Sequence, residues 1–279
     1  MYKILEKRSL NENTALLKVK APDIANKILP GQFVIIRIDE FGERIPLTVA
    51  ETDNTVGSIT LIAQMIGFTT IKLGNMETGD YISDVIGPLG HPTQLDGYNR
   101  ACVIGGGVGA AIAYPQAKYL YSKRVPVDII AGFRNRDIVI LEKEMKNVSD
   151  NLYITTDDGS YCEKGFVTDR LIKNIKDGKN YDVVLAIGPL MMMRAVANAT
   201  RPYGIKTIVS LNSIMIDGTG MCGSCRVTVG GEMKFACVDG PDFDAHEVDF
   251  ESLIRRNNAY RKQELEKLDH ACRLYGGNR

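Results

Sequence analysis

Ala101-Cys102-Val103-Ile104-Gly105-Gly106-Gly107-Val108-Gly109-Ala110-Ala111 decides the fold of this chain. Four residues with apolar side chains make a short strand. A glycine turn follows, and residues 108–121 read as a helix with Pro115 as a point for a kink. Gly105, Gly107 and Ala110 match the spacing G-x-G-x-x-A, with Gly109 opening the helix. Bare glycines let a backbone approach a pyrophosphate, and a helix N-terminus supplies amides with partial positive charge. A purely structural glycine turn is the competing reading.

Downstream, strands alternate with helices. Residues 125–131, 152–156, 181–187 and 206–211 read as strands, and 138–145, 165–175 and 191–200 as helices. That alternation predicts a doubly wound parallel sheet. One feature of a dehydrogenase-type fold is missing. The second strand runs into Gly132-Phe133-Arg134-Asn135-Arg136-Asp137, with no acid at its tip to take a ribose hydroxyl. Arg134 and Arg136 read equally well as phosphate contacts or as surface charges. NADH and NADPH are therefore not separated by these residues.

Upstream the texture differs. Short β-rich runs at 15–19, 33–38, 58–63 and 80–85 are broken by Gly, Pro and Asn, which predicts antiparallel strands in a small barrel or sandwich.

Beyond residue 211 the rhythm gives way to glycine and cysteine. Asp217-Gly218-Thr219-Gly220-Met221-Cys222-Gly223-Ser224-Cys225 is followed after eleven residues by Cys237. The plant-type [2Fe–2S] spacing is C-x4-C-x2-C…C, and three cysteines fit it with Asp217 in the first place. Gly218, Gly220 and Gly223 suit a loop wrapped round a cluster. Zinc and plain buried thiols are the rival readings, and zinc ribbons usually carry two CxxC pairs where this chain has one. Asp217 is either the fourth ligand or a loop aspartate accepting backbone amides. Cys102 reads as core, Cys162 follows a turn, and Cys272 sits in a charged helical stretch, 251–275.

The bulk numbers exclude several classes. At 279 residues the chain has room for two domains and a small third. With 44% hydrophobic residues it can build a core, and 34 basic residues balance 34 acidic ones, which gives no reason to expect nucleic acid or an anionic membrane. No run offers the ~20 apolar residues of a spanning helix, and the N-terminus lacks a signal-peptide core. Six cysteines, three clustered, favour a metal centre in a reducing compartment, so a cytoplasmic protein is expected. His91, His246 and His270 are scattered and form no triad.

Taken together, these residues resemble the ferredoxin–NADP reductase superfamily, and within it the electron-transfer subunits of dihydroorotate dehydrogenase, sulfide dehydrogenase and NADH-dependent ferredoxin:NADP oxidoreductase. The resemblance covers nearly the whole chain. It implies a β + α/β protein: an antiparallel β-barrel FAD domain (1–97), a doubly wound parallel-sheet nucleotide domain (98–211), a small C-terminal [2Fe–2S] region (212–250) and a C-terminal helix (251–279). It implies that Arg44 meets the FAD pyrophosphate and Thr48 the flavin, in Arg44-Ile45-Pro46-Leu47-Thr48, with Ile62, Ala63 and Gln64 edging the flavin. Gly67-Phe68-Thr69-Thr70 is similar to the loop on the FAD phosphates, and Gly87-Pro88-Leu89-Gly90 to the link between domains. Asp157, in Thr156-Asp157-Asp158-Gly159-Ser160, and Gly188 and Met191, in Gly188-Pro189-Leu190-Met191, match segments facing the nicotinamide nucleotide. The run from Asp217 to Cys225 is similar to the small subunit of the ferredoxin:NADP oxidoreductase, where one Asp and three Cys hold the cluster. That likeness implies NAD(H), FAD and a [2Fe–2S] cluster as cofactors. It also implies a larger flavin and iron–sulfur partner resembling the glutamate synthase small subunit, ferredoxin reached through the complex, and electron bifurcation. A dihydroorotate dehydrogenase or sulfide dehydrogenase subunit, and a redox sensor without turnover, are the alternatives.

Overall fold

The structure is a computed structural model and describes residues 1–266; the end of the expected C-terminal helix, with His270 and Cys272, lies outside them. The N-terminal part is built from β1 (Tyr2–Asn11), β2 (Thr14–Lys20), α1 (Pro22–Ala25), β3 (Phe33–Arg37), β4 (Arg44–Asp53), β5 (Ser58–Gln64), α2 (Phe68–Gly74), β6 (Tyr81–Ile82) and β7 (Asp84–Leu89). Its strands form one antiparallel sheet in the order β6-β1-β2-β5-β4-β3-β7. The two outer strands are consecutive in sequence, separated by Ser83, whose amide donates to the Ile38 carbonyl at 3.0 Å. The expected single strand at 80–85 is therefore two. It pairs with β1 at one end and β3 at the other, and so closes the sheet into a barrel.

Strand alternation decides what fills it. Leu17, Val34, Ile36, Ile59, Leu61 and Ile82 are fully buried and pack inside with Ile4 and Leu73. Phe33 and Ile35 leave β3 on the opposite face and join a different core.

The second sheet is built from β8 (Ala101–Gly106), α3 (Gly109–Ser122), β9 (Val127–Phe133), α4 (Glu142–Lys146), β10 (Asn151–Thr156), β11 (Glu163–Lys164), α5 (Val167–Lys176), β12 (Val183–Ile187), α6 (Leu190–Thr200) and β13 (Lys206–Ser210). Its order is β11-β10-β9-β8-β12-β13-β16, with β16 (Asp242–Asp244) coming from further along the chain, and it is parallel except at that last strand. The chain starts at β8, winds outward to β11, then returns to β12 on the other side of β8. That reversal is a topological switch point, where open α/β sheets bind ligands beyond the carboxyl ends of their strands.

The last described part holds the hairpin β14 (Arg226–Val229) and β15 (Glu232–Phe235), β16 (Asp242–Asp244) and α7 (Phe250–Asn257). Gly230 and Gly231 turn the hairpin with φ of +60° and +77°.

Two expectations are corrected. Residues 138–145 are not one helix: Val139 is extended, Leu141 is left-handed at φ +54°, and α4 begins only at Glu142. Ile140 is buried there at 4% exposure, and burying this β-branched run outweighs helical periodicity. The stretch from 251 is broken as well: α7 ends at Asn257, residues 258–260 form a turn, and helix resumes over 261–266.

Candidate functional site: a crevice, a barrel face and a cysteine loop

The crevice lies where β8 and β12 end. A β-carbon on Gly105 would stand 2.5 Å from Ala110 Cα, and one on Gly109 2.3 Å from the Ile187 carbonyl oxygen. The glycines thus let α3 seat directly on the two strands. Gly107 differs: its φ is +56° and a β-carbon there would meet nothing within 4 Å. Open space lies over a bare backbone at the start of a 14-residue helix, which suits an incoming phosphate. Gly188 closes the other wall, its Cβ direction 3.1 Å from Gly106, and Met191 is 55% exposed at the start of α6. Asp157 lies beyond β10, two strands from β8; its amide donates to the Phe133 carbonyl at 3.0 Å. Next to it, Asp158 accepts from the Ser160 hydroxyl and amide at 2.7 and 2.9 Å, and those bonds hold its carboxyl below the usual range.

The barrel face is made by β4 and β5. Val49 pairs with Leu61 in antiparallel register, so Arg44–Thr48 and Ile62–Gln64 run out side by side. Arg44 is exposed and Pro46, Leu47 and Thr48 are half-buried, although β4 sits in the middle of the sheet. Ile62 and Ala63 are buried and Gln64 half-buried beside them. Gly67 precedes α2. The Thr69 hydroxyl donates to Glu43 Oε2 at 2.6 Å and the Thr70 hydroxyl to the Gly67 carbonyl at 3.0 Å, so both fix the loop's shape.

The cysteine loop packs on the barrel. A β-carbon on Gly218 (φ +76°) would be 2.6 Å from Leu89 Cδ1 and 2.8 Å from Ile35 Cδ1. Ile35 pairs with Pro46 on one side and Ile86 on the other. The loop thus sits on β3, the strand next to β4, with adjacent strands about 4.8 Å apart.

The four candidate ligands stand as two pairs. Cys225 and Cys237 are buried with their sulfurs 3.2 Å apart. Asp217 accepts the Cys222 amide on Oδ2 at 2.7 Å and the Thr219 amide on Oδ1 at 2.8 Å, and those amides hold its carboxyl low. Burial, contact with Cys225 and the charge of Asp217 push the Cys237 thiol up to about 12. The Ser224 hydroxyl and amide draw the Cys222 thiol down. Among the described residues no three His, Cys, Asp or Glu side chains converge on one metal ion. A two-iron cluster places two protein ligands on each iron, and two neighbouring pairs fit that donor set. Cys102 is buried in β8, where burial raises its thiol well above the usual range.

A barrel, a doubly wound sheet with a glycine turn at its switch point and a cysteine-bearing appendage are thus combined in one chain. Residues 212–249 match the family described as the iron–sulfur cluster binding domain of dihydroorotate dehydrogenase B. The chain is 44% identical over 264 residues to a dihydroorotate dehydrogenase B (NAD+) electron transfer subunit homolog of Thermotoga maritima, covering 95% of this chain and 93% of that one. It is 35% identical to the dihydroorotate dehydrogenase B (NAD+) electron transfer subunit of Geobacillus thermodenitrificans, over 88% of this chain and 96% of the other. The chain belongs to this family of electron-transfer subunits. A solved structure of an NADH-dependent reduced ferredoxin-NADP oxidoreductase, described for flavin-based electron bifurcation, aligns with a TM-score of 0.90 at 42% identity, over 97% of each chain.

Proposed function

We propose that this chain is the small electron-transfer subunit of a bifurcating NADH-dependent ferredoxin:NADP oxidoreductase. It passes electrons between NAD(H), FAD and a [2Fe–2S] cluster. When bound, FAD exchanges two electrons with the nicotinamide and one at a time with the cluster. The chain's residues bind and orient. Gly107 opens onto the nicotinamide nucleotide crevice, Gly105 and Gly109 seat α3 behind it, and Gly188, Met191 and Asp157 flank it. Arg44, Pro46, Leu47 and Thr48, with Ile62, Ala63, Gln64, Gly67, Thr69 and Thr70, form the FAD face. Asp217, Cys222, Cys225 and Cys237 hold the cluster. No side chain is needed as a general acid or base.

The observation that carries this reading is the arrangement along β3: the cysteine loop rests on Ile35, whose cross-strand neighbour Pro46 belongs to the FAD face. The likeness to the oxidoreductase structure, with a TM-score of 0.90 over 97% of each chain, supports the ferredoxin:NADP assignment. Asp217 supports it too, since dihydroorotate dehydrogenase subunits usually carry cysteine at that place. The match of residues 212–249 keeps a dihydroorotate dehydrogenase subunit as the second reading.

The electron-transfer relatives imply a larger partner subunit, and this reading makes it a flavin and iron–sulfur chain like the glutamate synthase small subunit, with ferredoxin reached through it. No described helix is long and apolar enough to cross a membrane, and a cytoplasmic location follows from the reading. Anaerobic visible and EPR spectra of the purified chain, before and after NADH and then NADPH, test it. Flavin bands with a sulfide-bridged iron envelope, bleached by NADH in preference to NADPH, are expected. A colourless, zinc-containing protein would overturn the cluster assignment.

A further inference from the structure

Two arginines hold the short turn between Cys222 and Cys225. Arg226 Nη1 donates to the Gly223 carbonyl at 3.1 Å, and Arg256 Nη2 donates to the Ser224 carbonyl at 3.1 Å. These are the two residues inside the CxxC turn. Arg226 follows the second cysteine in sequence and is exposed. Arg256 comes from the last turn of α7, 32 residues away, and is half-buried. Its neighbour Asn257 donates through Nδ2 to the Asn212 carbonyl at 2.8 Å, at the entrance to the cysteine segment. The end of α7 thus grips this segment at two points. Phe250 and Leu253 anchor the helix in the core that contains Cys225 and Cys237. Asp249 caps it by accepting the Ser252 amide at 3.0 Å.

A basic residue in the last turn of a helix ordinarily offsets the negative end of its own dipole. Arg255 and Arg256 both occupy that turn, but Arg256 spends a donor on another segment's carbonyl. Among the described residues neither Arg226 nor Arg256 is ion-paired with a carboxylate, so both charges act on the loop.

We propose that Arg256 is a positioning and charge-setting residue for the cluster, seconded by Arg226. An electron arriving at the cluster would add one negative charge beside this turn. A guanidinium fixed on the Ser224 carbonyl stabilises that added charge, and so raises the reduction potential. Burial keeps Arg256 effective, whereas salt screens the exposed Arg226. The inference rests on the reading that Asp217 and the three cysteines hold a [2Fe–2S] cluster.

The test is an EPR-monitored redox titration of the purified holoprotein with iron content per chain, for wild type, Arg256→Gln, Arg256→Lys and Arg226→Gln. Arg256→Gln should keep its iron and titrate at a more negative potential. Arg256→Lys, which retains the charge, should titrate with the wild type. Arg226→Gln should shift less, and its shift should vanish at high salt. Full iron with an unchanged potential in Arg256→Gln overturns the inference, as does Arg256→Lys shifting as far as the glutamine variant. If the glutamine variant loses iron, iron and potential retained by the lysine variant support the proposal, and loss in both overturns it. A wild-type chain without iron defeats the cluster reading itself, a result distinct from any of these.

Discussion

At Gly107 the backbone turns left-handed into open space, whereas two residues earlier Gly105 has its Cβ direction against the backbone of α3. These glycines look alike in sequence and do different work. Gly107→Ala places a methyl in the crevice and costs about 1–2 kcal/mol for a side chain in that conformation. The expected result is a folded protein with a lower melting temperature and NADH affinity weakened on the order of tenfold. Fluorescence titration of the flavin with NADH checks it, and unchanged affinity would detach this crevice from the nucleotide. The glycine spacing was legible in the sequence because a phosphate site on one turn is local. The two arginines on the CxxC turn were not equally legible: Arg226 adjoins the motif, but only folding brings Arg256 to Ser224. The same holds for Asp217, which the sequence leaves between ligand and loop cap. In the fold it accepts two loop amides, one of them that of Cys222.

Among the elements, β3 serves two cores. Its even-numbered residues Val34 and Ile36 fill the barrel, and its odd-numbered Phe33 and Ile35 pack with the cysteine region. The strand was legible as an apolar run, and its two-sidedness was hidden because both faces are buried. Ile35→Ala removes a side chain that is 1% exposed and lies under Gly218. A loss of about 2–5 kcal/mol is expected for such a truncation. The cysteine loop loses its floor while the barrel interior is untouched, so iron should leave the variant faster than flavin when both are followed spectroscopically during dialysis against chelator. Equal loss of both would show that β3 does not separate the two sites. The hairpin β14–β15 and the edge strand β16 were missed by the sequence reading because glycine and cysteine obscure their alternation. The break at Leu141 was missed because burial of Ile140 overrides the local helical pattern.

At the scale of the whole molecule, the barrel, the linker, α3 and the cysteine region meet at Asp242. Its Oδ2 accepts from the Thr93 hydroxyl at 2.5 Å and from Gln116 Nε2 at 3.3 Å, and Gly31 of the barrel lies against it. Asp242 Oδ1 and Gln116 Oε1 are shut off from solvent without a donor among the described residues. Among the described residues no cation is paired with this carboxyl, and burial pushes it up to about 6, against the hydroxyls of Thr93 and Ser210. A carboxyl raised in the folded state from a usual 3.8 binds its proton more tightly there than in the unfolded chain. Its contribution to stability is full below pH 4 and lost as pH rises through 6, a change on the order of 3 kcal/mol. Asp242→Asn keeps the shape and carries a permanent donor. The stability gained by this substitution, measured by thermal unfolding, should be larger at pH 7.5 than at pH 4.5. An equal difference at both would mean the carboxyl is ionised throughout.

The double role of β3 also makes it a common wall. Ile35 is fixed between Pro46 and Ile86 in the barrel sheet while its side chain floors the cysteine loop. A slip of this strand by one residue would exchange the face that fills the barrel for the face that bears the loop, so both sides would feel it at once. Any substitution that repacks one core is therefore constrained by the other.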